Sequence, residues 1–459
     1  MHAVRRSFTL SAALSATIAF ACASAAHGQS LVVLYESARD YDAAYQGARA
    51  QYEANLARAA QAKAGVLPQV GLNAGVSRSA LDIDVISGAP PVSTSRAYTT
   101  QNVGINATQA LYRPANWAAY EQGLRQAEVA QTVLTLAEQD LIVRVSQAYF
   151  DVLAAQDTLA LVRAQKSAVA EQLAFAKRNF EVGTSTITDS REAQARYDLV
   201  VAQEIAAEND LQVRRLALDI LVGRTGSAPA PLALPAALPA PVPQDMNAWV
   251  AQAEAVHPSI RQAQLSADIA ALEVDRARAG AKPTVDANVG YNVTRNPGGS
   301  SITNVGTRAS GPSVGVVFNM PLFAGFAIEN RIIETLALEQ QSRAALDATR
   351  RNVTQATRTA YLGLVSGTGQ VKALEAAEAS SQSSLDANRL GYQVGVRINI
   401  DVLNAQSQLF QTKRDLAVAR YNVLLGNLRL KQANGTLAPP DLQPVDATLQ
   451  TATTVAPGR

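Results

Sequence analysis

The chain repeats itself, and the repeat constrains the fold more than any other feature. Ala148-Tyr149 recurs as Ala360-Tyr361, an offset of 360 − 148 = 212 residues. Val182-Gly183 recurs as Val394-Gly395, Asp189 as Asp401, and Ala193-Gln194 as Ala405-Gln406, all at the same spacing. Earlier, AKAGVLP ending at Pro68 answers ARAGAKP ending at Pro283 at an offset of 283 − 68 = 215, so the second copy has the shorter loop between these markers. Chance does not hold one spacing over so many positions, and internal repetition of this kind means two structurally equivalent halves.

The expected layout is an export segment over 1–29, a first repeat over 30–228, a Pro/Ala-rich linker over 229–245, a second repeat over 246–440 and a flexible tail over 441–459. Arg5 and Arg6 precede an apolar, small-residue run, with Ala23-Ser-Ala25 and Ala26-His-Gly28 as cleavage sites, which is the pattern of a secretory signal. The only cysteine, Cys22, lies inside it. A lipoprotein signal would make Cys22 the acylated first residue, but Phe20 is bulky where a small residue is needed. Removing the two signal arginines takes the formal charge from +2 to 0, which gives no reason to expect a nucleic-acid partner.

Each repeat opens with a helical segment, Leu34 to Lys63 and Met246 to Arg278, the second split at Pro258. Pro68 and Pro283 close these segments. A hairpin follows in each half, about 69–112 and about 284–322. Val285, Ala287, Val289, Tyr291 and Val293 share one face; Asp286, Asn288, Gly290, Asn292 and Thr294 share the other. The first hairpin alternates in the same way, with Val70, Leu72, Ala74 and Val76 against Gln69, Gly71, Asn73 and Gly75. Period two with one apolar and one polar face is a strand between two media. About ten residues is also the length of a tilted strand crossing a bilayer. The Ser-, Gly- and Pro-rich tips, Ala80 to Tyr98 and Asn296 to Ser310, are expected to be loops.

Residues 115–228 and 322–438 contain no proline. Leu134, Ala137, Leu141, Val145, Ala148, Val152, Ala155, Leu159 and Val162 form a stripe with coiled-coil spacing. Long helix pairs are expected over 116–225 and 326–434. A helix of about 65 residues is roughly 100 Å long and cannot bury such a stripe alone. The mature chain has no run of about 18 apolar residues that would make a membrane-spanning helix. Four amphipathic strands cannot close a barrel, and an open sheet edge in lipid leaves backbone groups without partners. Copies must therefore pool strands: two give eight strands and an interior filled by side chains, three give twelve and, for a conduit, room for a water-filled lumen.

Two turns between the long helices carry the most specific signal: Phe180-Glu-Val-Gly-Thr-Ser-Thr-Ile-Thr-Asp189 and Tyr392-Gln-Val-Gly-Val-Arg-Ile-Asn-Ile-Asp401. With the duplicated halves, they resemble the TolC family of outer-membrane efflux and secretion channels over essentially the whole mature chain. The resemblance implies a mixed α and β membrane protein. Its homotrimer would have a twelve-stranded antiparallel β-barrel, four strands per protomer, continuous with a long α-helical coiled-coil periplasmic barrel and a small collar. It implies a passive exit duct in the outer membrane of a Gram-negative bacterium, working with a periplasmic adaptor protein and an inner-membrane transporter of the RND or ABC type.

It also implies site roles. Val182, Gly183, Val394 and Gly395 become adaptor-docking tips, and the glycines end helices in any reading. Thr188, Asp189, Tyr392, Arg397, Asp401 and Asn404 become the tunnel entrance and its gate, with an Arg397–Asp189 link, within or between subunits, helping to hold it shut. Asn404 stands where the family's best-known members have a second Asp, which halves the charge of the constriction. On local chemistry alone, Asp189 with Glu192 reads as a capping box and Asn399 as a cap. Tyr112, Trp117, Phe323 and Phe326 fall at strand–helix junctions, as an interfacial belt or as plain packing.

Catalysis finds no support. His2 and His27 lie in the export segment and His257 stands alone, so no metal or other cofactor is expected. No thiol remains after export, and no phosphate-binding glycine loop appears. Two other architectures compete. A barrel-anchored trimeric surface protein would cluster its strands at the C-terminus, whereas these sit early in each half. A periplasmic coiled-coil scaffold would wash from membranes with salt, whereas a barrel needs detergent.

Overall fold

The computed structural model describes residues 28–85, 92–233 and 238–449. Residues 1–27 of the export segment, Cys22 among them, and the tail beyond residue 449 lie outside the described residues.

The chain folds as two compact units. Of the described residues, one takes those within 48–135 and 258–352; the other takes those up to 47, within 136–257 and from 353 to 449. The first holds the sheet. Its strands are β1 (Gln69–Val85), β2 (Val92–Tyr112), β3 (Thr284–Asn296) and β4 (Thr307–Asn319), paired antiparallel in the order β1-β2-β3-β4. The alternation read from the sequence sets the faces. The row Val70↔Ala107↔Val289↔Val314 belongs to the apolar face, and Asn73↔Gly104↔Asn292 to the polar one. On the polar face Asn106 donates to Asn73 Oδ1 at 2.9 Å, bridging β2 and β1. The apolar face stays open: Leu72 is 74% exposed and Val314 80%.

The tip of the first hairpin departs from expectation. Ala80 to Tyr98 is largely strand, with pairing running through Leu81↔Arg96 and Ile83↔Thr94 to Val85↔Val92. Ser and Thr are loop-prone in composition, but a period-two run with β-branched residues sustains a ladder. Only residues 86–91 fall outside description there. In the second hairpin Asn296 and Thr307 still pair, and the connection is 297–306. At the other end Leu111 bulges out of β2, and Arg113 just beyond donates to Asp286 Oδ2 at 2.6 Å.

The helices follow the duplication. The first repeat has α1 (Leu31–Tyr41), α2 (Ala43–Lys63), α3 (Pro114–Glu181) and α4 (Ile187–Val222). The second has α5 (Met246–Val256), α6 (Pro258–Ala279), α7 (Ala327–Gln393) and α8 (Asn399–Ala433). Pro258 starts α6 because proline lacks the N–H that a helix interior requires. Asp42 breaks the helix expected over Leu34 to Lys63. Its backbone N–H closes α1 onto Ala38 O at 2.7 Å, while its Oδ1 accepts from Tyr45 N at 2.8 Å to start α2. Short acidic side chains compete for backbone groups in this way. Arg144 of α3 then grips both Asp42 oxygens, at 2.9 and 3.0 Å, and holds the buried carboxyl below its ordinary pKa.

The stripe of α3 is the core of the second unit. Leu141, Val145 and Val152 are fully buried, joined by Ile142, Tyr149 and Leu153, so the buried face is wider than a coiled-coil seam. Tyr149 on this wider face meets the linker. Tyr149 OH accepts from Ala230 N at 2.8 Å, and its repeat mate Tyr361 donates to Gln244 O at 2.7 Å. Nearby, Tyr421 donates to Asp157 Oδ2 at 2.6 Å, and burial pushes the Asp157 carboxyl up. The chain after Pro440 was expected to be loose, yet its described part is ordered. Leu442–Asp446 forms α9 with Leu442 and Val445 buried; Asp446 Oδ1 accepts from Leu31 N at 2.8 Å, and Leu449 bridges to Leu232. Three apolar side chains at helical spacing supply the burial that the Thr/Ala/Pro composition hid.

Candidate functional site at the turns between long helices

α3 and α7 end in equivalent ways. Gly183 has φ +78° and Gly395 φ +79°, the left-handed region where glycine carries no penalty. Thr184 N donates to Asn179 O at 2.8 Å, and at the repeat-equivalent position Val396 N donates to Gly391 O at 2.9 Å. These bonds satisfy carbonyls that a helix end otherwise leaves orphaned. A Cβ on either glycine would meet nothing within 4 Å, so the backbone angle and not space selects glycine. Val182 and Val394 beside them are 72% and 65% exposed.

The two returning helices start differently. α4 has a complete capping box: Thr186 Oγ1 accepts from Asp189 N at 3.3 Å, and Asp189 Oδ2 accepts from Thr186 N at 3.1 Å. Asp189 therefore caps as the third helical residue, not as the first member of a pair with Glu192. The Thr-x-x-Asp spacing was the signal for this. α8 has no side-chain cap, and Asn399 does not serve as one. Instead Asn399 is wholly buried; its Nδ2 donates to Asp189 O at 3.2 Å and its Oδ1 accepts from Gln172 Nε2. One amide thus ties the start of α8 to the start of α4 and to α3. Nothing local in the sequence marks that role, because both partners are more than 200 residues away.

Arg397 reaches Asp401 one turn on, at 3.6 Å, while Asp189 of the same chain bonds Thr186 through Oδ2. Gly391 makes room for this: a Cβ there would lie 2.7 Å from Arg397 Cγ. Tyr392 packs edge-to-face on Phe175 at 5.9 Å, and its hydroxyl is buried without a hydrogen-bond partner among the described residues. Asn404 accepts from Arg196 of α4 at 3.0 Å, a cation the sequence reading missed. Thr188 is exposed on the first turn of α4. The turns therefore gather Asp189, Asn399, Arg397 and Asp401 at helix starts, with Arg196 and Asn404 one to two turns further in.

The junction aromatics are exposed. Trp117 meets Tyr120 edge-to-face at 6.4 Å, and Phe323 meets Phe326 edge-on at 5.5 Å. Gly325 and Phe326 both have positive φ, which turns the chain sharply into α7. Among the described residues no helix is long and apolar enough to cross a membrane, and no group of three His, Cys, Asp or Glu side chains could hold a metal ion.

The family model for outer membrane efflux proteins matches residues 34–224 and 249–436, one match per repeat. Outer membrane protein TolC of Vibrio cholerae is 31% identical over 436 residues, covering 94% of this chain and 96% of that protein. Alkaline protease secretion protein AprF of Pseudomonas aeruginosa is 30% identical over 437 residues, covering 92% and 88%. The CmeC outer membrane channel of Campylobacter jejuni has the same fold, with a TM-score of 0.76 at 15% identity over 92% of this chain and 90% of that one. Paired hairpins in one four-stranded sheet, carried on duplicated long helices, define an outer-membrane exit duct with a large helical periplasmic part. The chain belongs to the outer membrane efflux protein family.

Proposed function

We propose that three copies pool their sheets into a twelve-stranded barrel, and that this trimer is the passive outer-membrane component of a tripartite efflux or type I secretion system. The observation that carries the reading is the sheet itself. It has an exposed apolar face along four strands, while β1 and β4 each have a partner on one side only. Unpaired backbone groups in lipid cost several kcal/mol each, so the edges must meet edges of other copies. Two copies give eight strands and an interior filled by side chains; three leave a lumen. Exposed apolar residues along the helices, including Ile205, Leu216 and Ile220 of α4 and Leu362 of α7, support close neighbours there too.

Val182, Gly183, Val394 and Gly395 dock a periplasmic adaptor protein, which their exposed position at the helix turns supports. Cargo and energy come from an inner-membrane RND or ABC transporter, and the chain itself catalyses nothing. Thr188, Asp189, Tyr392, Arg397, Asp401 and Asn404 line the entrance as a gate. The unpartnered Tyr392 hydroxyl supports a contact made only in the closed assembly. The test is the detergent-purified particle in a planar bilayer. Three chains per particle and an ion current are expected; a lone protomer, or a particle without current, refutes the reading.

A further inference from the structure

The apolar face of the sheet ends differently at its two ends. Toward the helices it closes on aromatic and sulfur-bearing side chains, with Tyr112 paired to Val285, Phe318 on β4 and Met320 just beyond. At the opposite end the row Val76↔Gln101↔Arg295↔Arg308 crosses all four strands. Two arginines thus stand directly opposite each other on β3 and β4. Arg78, two residues beyond Val76 on β1, points to the same face. All three are exposed, and none forms an ion pair among the described residues. The carboxylates on that face, Asp82 and Asp84, lie further out along β1, and Asp84 already accepts from Ser93.

Directly opposed side chains on adjacent strands have Cβ atoms about 5 Å apart, and like charges there oppose pairing. Two guanidinium groups side by side, where the lipid-facing surface stops, form a surface complementary to an anion. The helices extend into the periplasm, so this row faces the outward leaflet. Guanidinium forks match phosphate oxygens in bidentate geometry, and one phosphate group can engage two of them.

We propose that Arg295 and Arg308, flanked by Arg78, bind the phosphate groups of anionic lipid headgroups in the outward leaflet. The lipid fixes the depth of the barrel at its outer rim. The site rests on the sheet spanning the outer membrane.

The test uses the full chain purified in detergent and exchanged against lipid A, phosphatidylcholine or inorganic phosphate, with bound lipid measured by native mass spectrometry. Wild-type protein should retain lipid A over phosphatidylcholine. Each arginine removed should lower retention about fivefold, as expected for one basic residue at an anionic surface, so R295Q/R308Q should lose most of it. R295K/R308K keeps the charge and should retain an intermediate amount. Equal retention by wild type and R295Q/R308Q overturns the proposal. So does displacement of lipid A by inorganic phosphate at equal concentration, which would make the site one for a free anion. A protein that needs detergent for extraction yet shows no lipid preference loses only this inference; one that washes off with salt loses the membrane reading itself.

Discussion

Replacing Asn399 with Ala should loosen the entrance without unfolding the chain. The side chain makes two hydrogen bonds, to Asp189 O and from Gln172 Nε2, and is wholly buried. Each such bond contributes about 1 kcal/mol net, so truncation costs about 2 kcal/mol in each chain, before any added penalty for the two groups left unpaired. Local opening of the α4 and α8 starts should then become about 30-fold more frequent, since 1.4 kcal/mol is a factor of ten. Hydrogen exchange reads this directly: amides in the first turns of α4 and α8 should exchange about 30-fold faster, while the strands stay protected. In bilayers the same variant should show larger or more frequent conductance steps. Unchanged exchange in Asn399→Ala would show that the amide does not hold the two helix starts together.

Asp42→Asn should lower stability by about 2 kcal/mol at neutral pH by breaking the fork with Arg144. Because Arg144 holds the Asp42 carboxyl below its ordinary value, the wild-type contribution is full above that value and is lost as pH falls through the depressed one. The gap in melting temperature between wild type and variant should therefore close in acid. Asp157 has the opposite sign: burial raises its pKa, so the wild type loses stability as pH rises from the ordinary carboxylate value through the raised one. Asp157→Asn keeps an acceptor for Tyr421 and should melt no lower than wild type at neutral pH; a lower melting point would count against the burial argument. Asn404→Asp should pair with Arg196 and leave conductance block by multivalent cations unchanged, whereas adding Arg196→Gln should strengthen the block; block that rises in Asn404→Asp alone would show that Arg196 does not neutralise that position.

The parts of this fold written in the sequence are those governed by local periodicity. The face pattern of β3, the start of α6 at Pro258 and the glycine ends of α3 and α7 follow from two-residue alternation, a missing N–H and a positive φ. What was not legible depends on partners remote in the chain. Asn399 looks like a cap and is instead a buried tie to residues of the first repeat. Asp42 ends one helix and starts the next because Arg144, a hundred residues on, fixes its carboxylate. Within one chain Arg397 pairs with Asp401, one turn on in its own repeat, and the sequence spacing alone does not select that acid over Asp189. The tip of the first hairpin misled through composition, since serines and threonines read as loop until their cross-strand partners are known.

That hairpin carries a further consequence. Its ladder continues for eight pairs past the last one of the second hairpin, from Arg78↔Thr99 to Val85↔Val92, some 26 Å at about 3.3 Å per residue. The duplicated halves are near-equals within the wall but unequal above it. In the proposed trimer the outer rim would alternate tall and short, like a crown with three merlons. Anything arriving from outside would meet threefold symmetry, while cargo inside the wall would meet something close to sixfold.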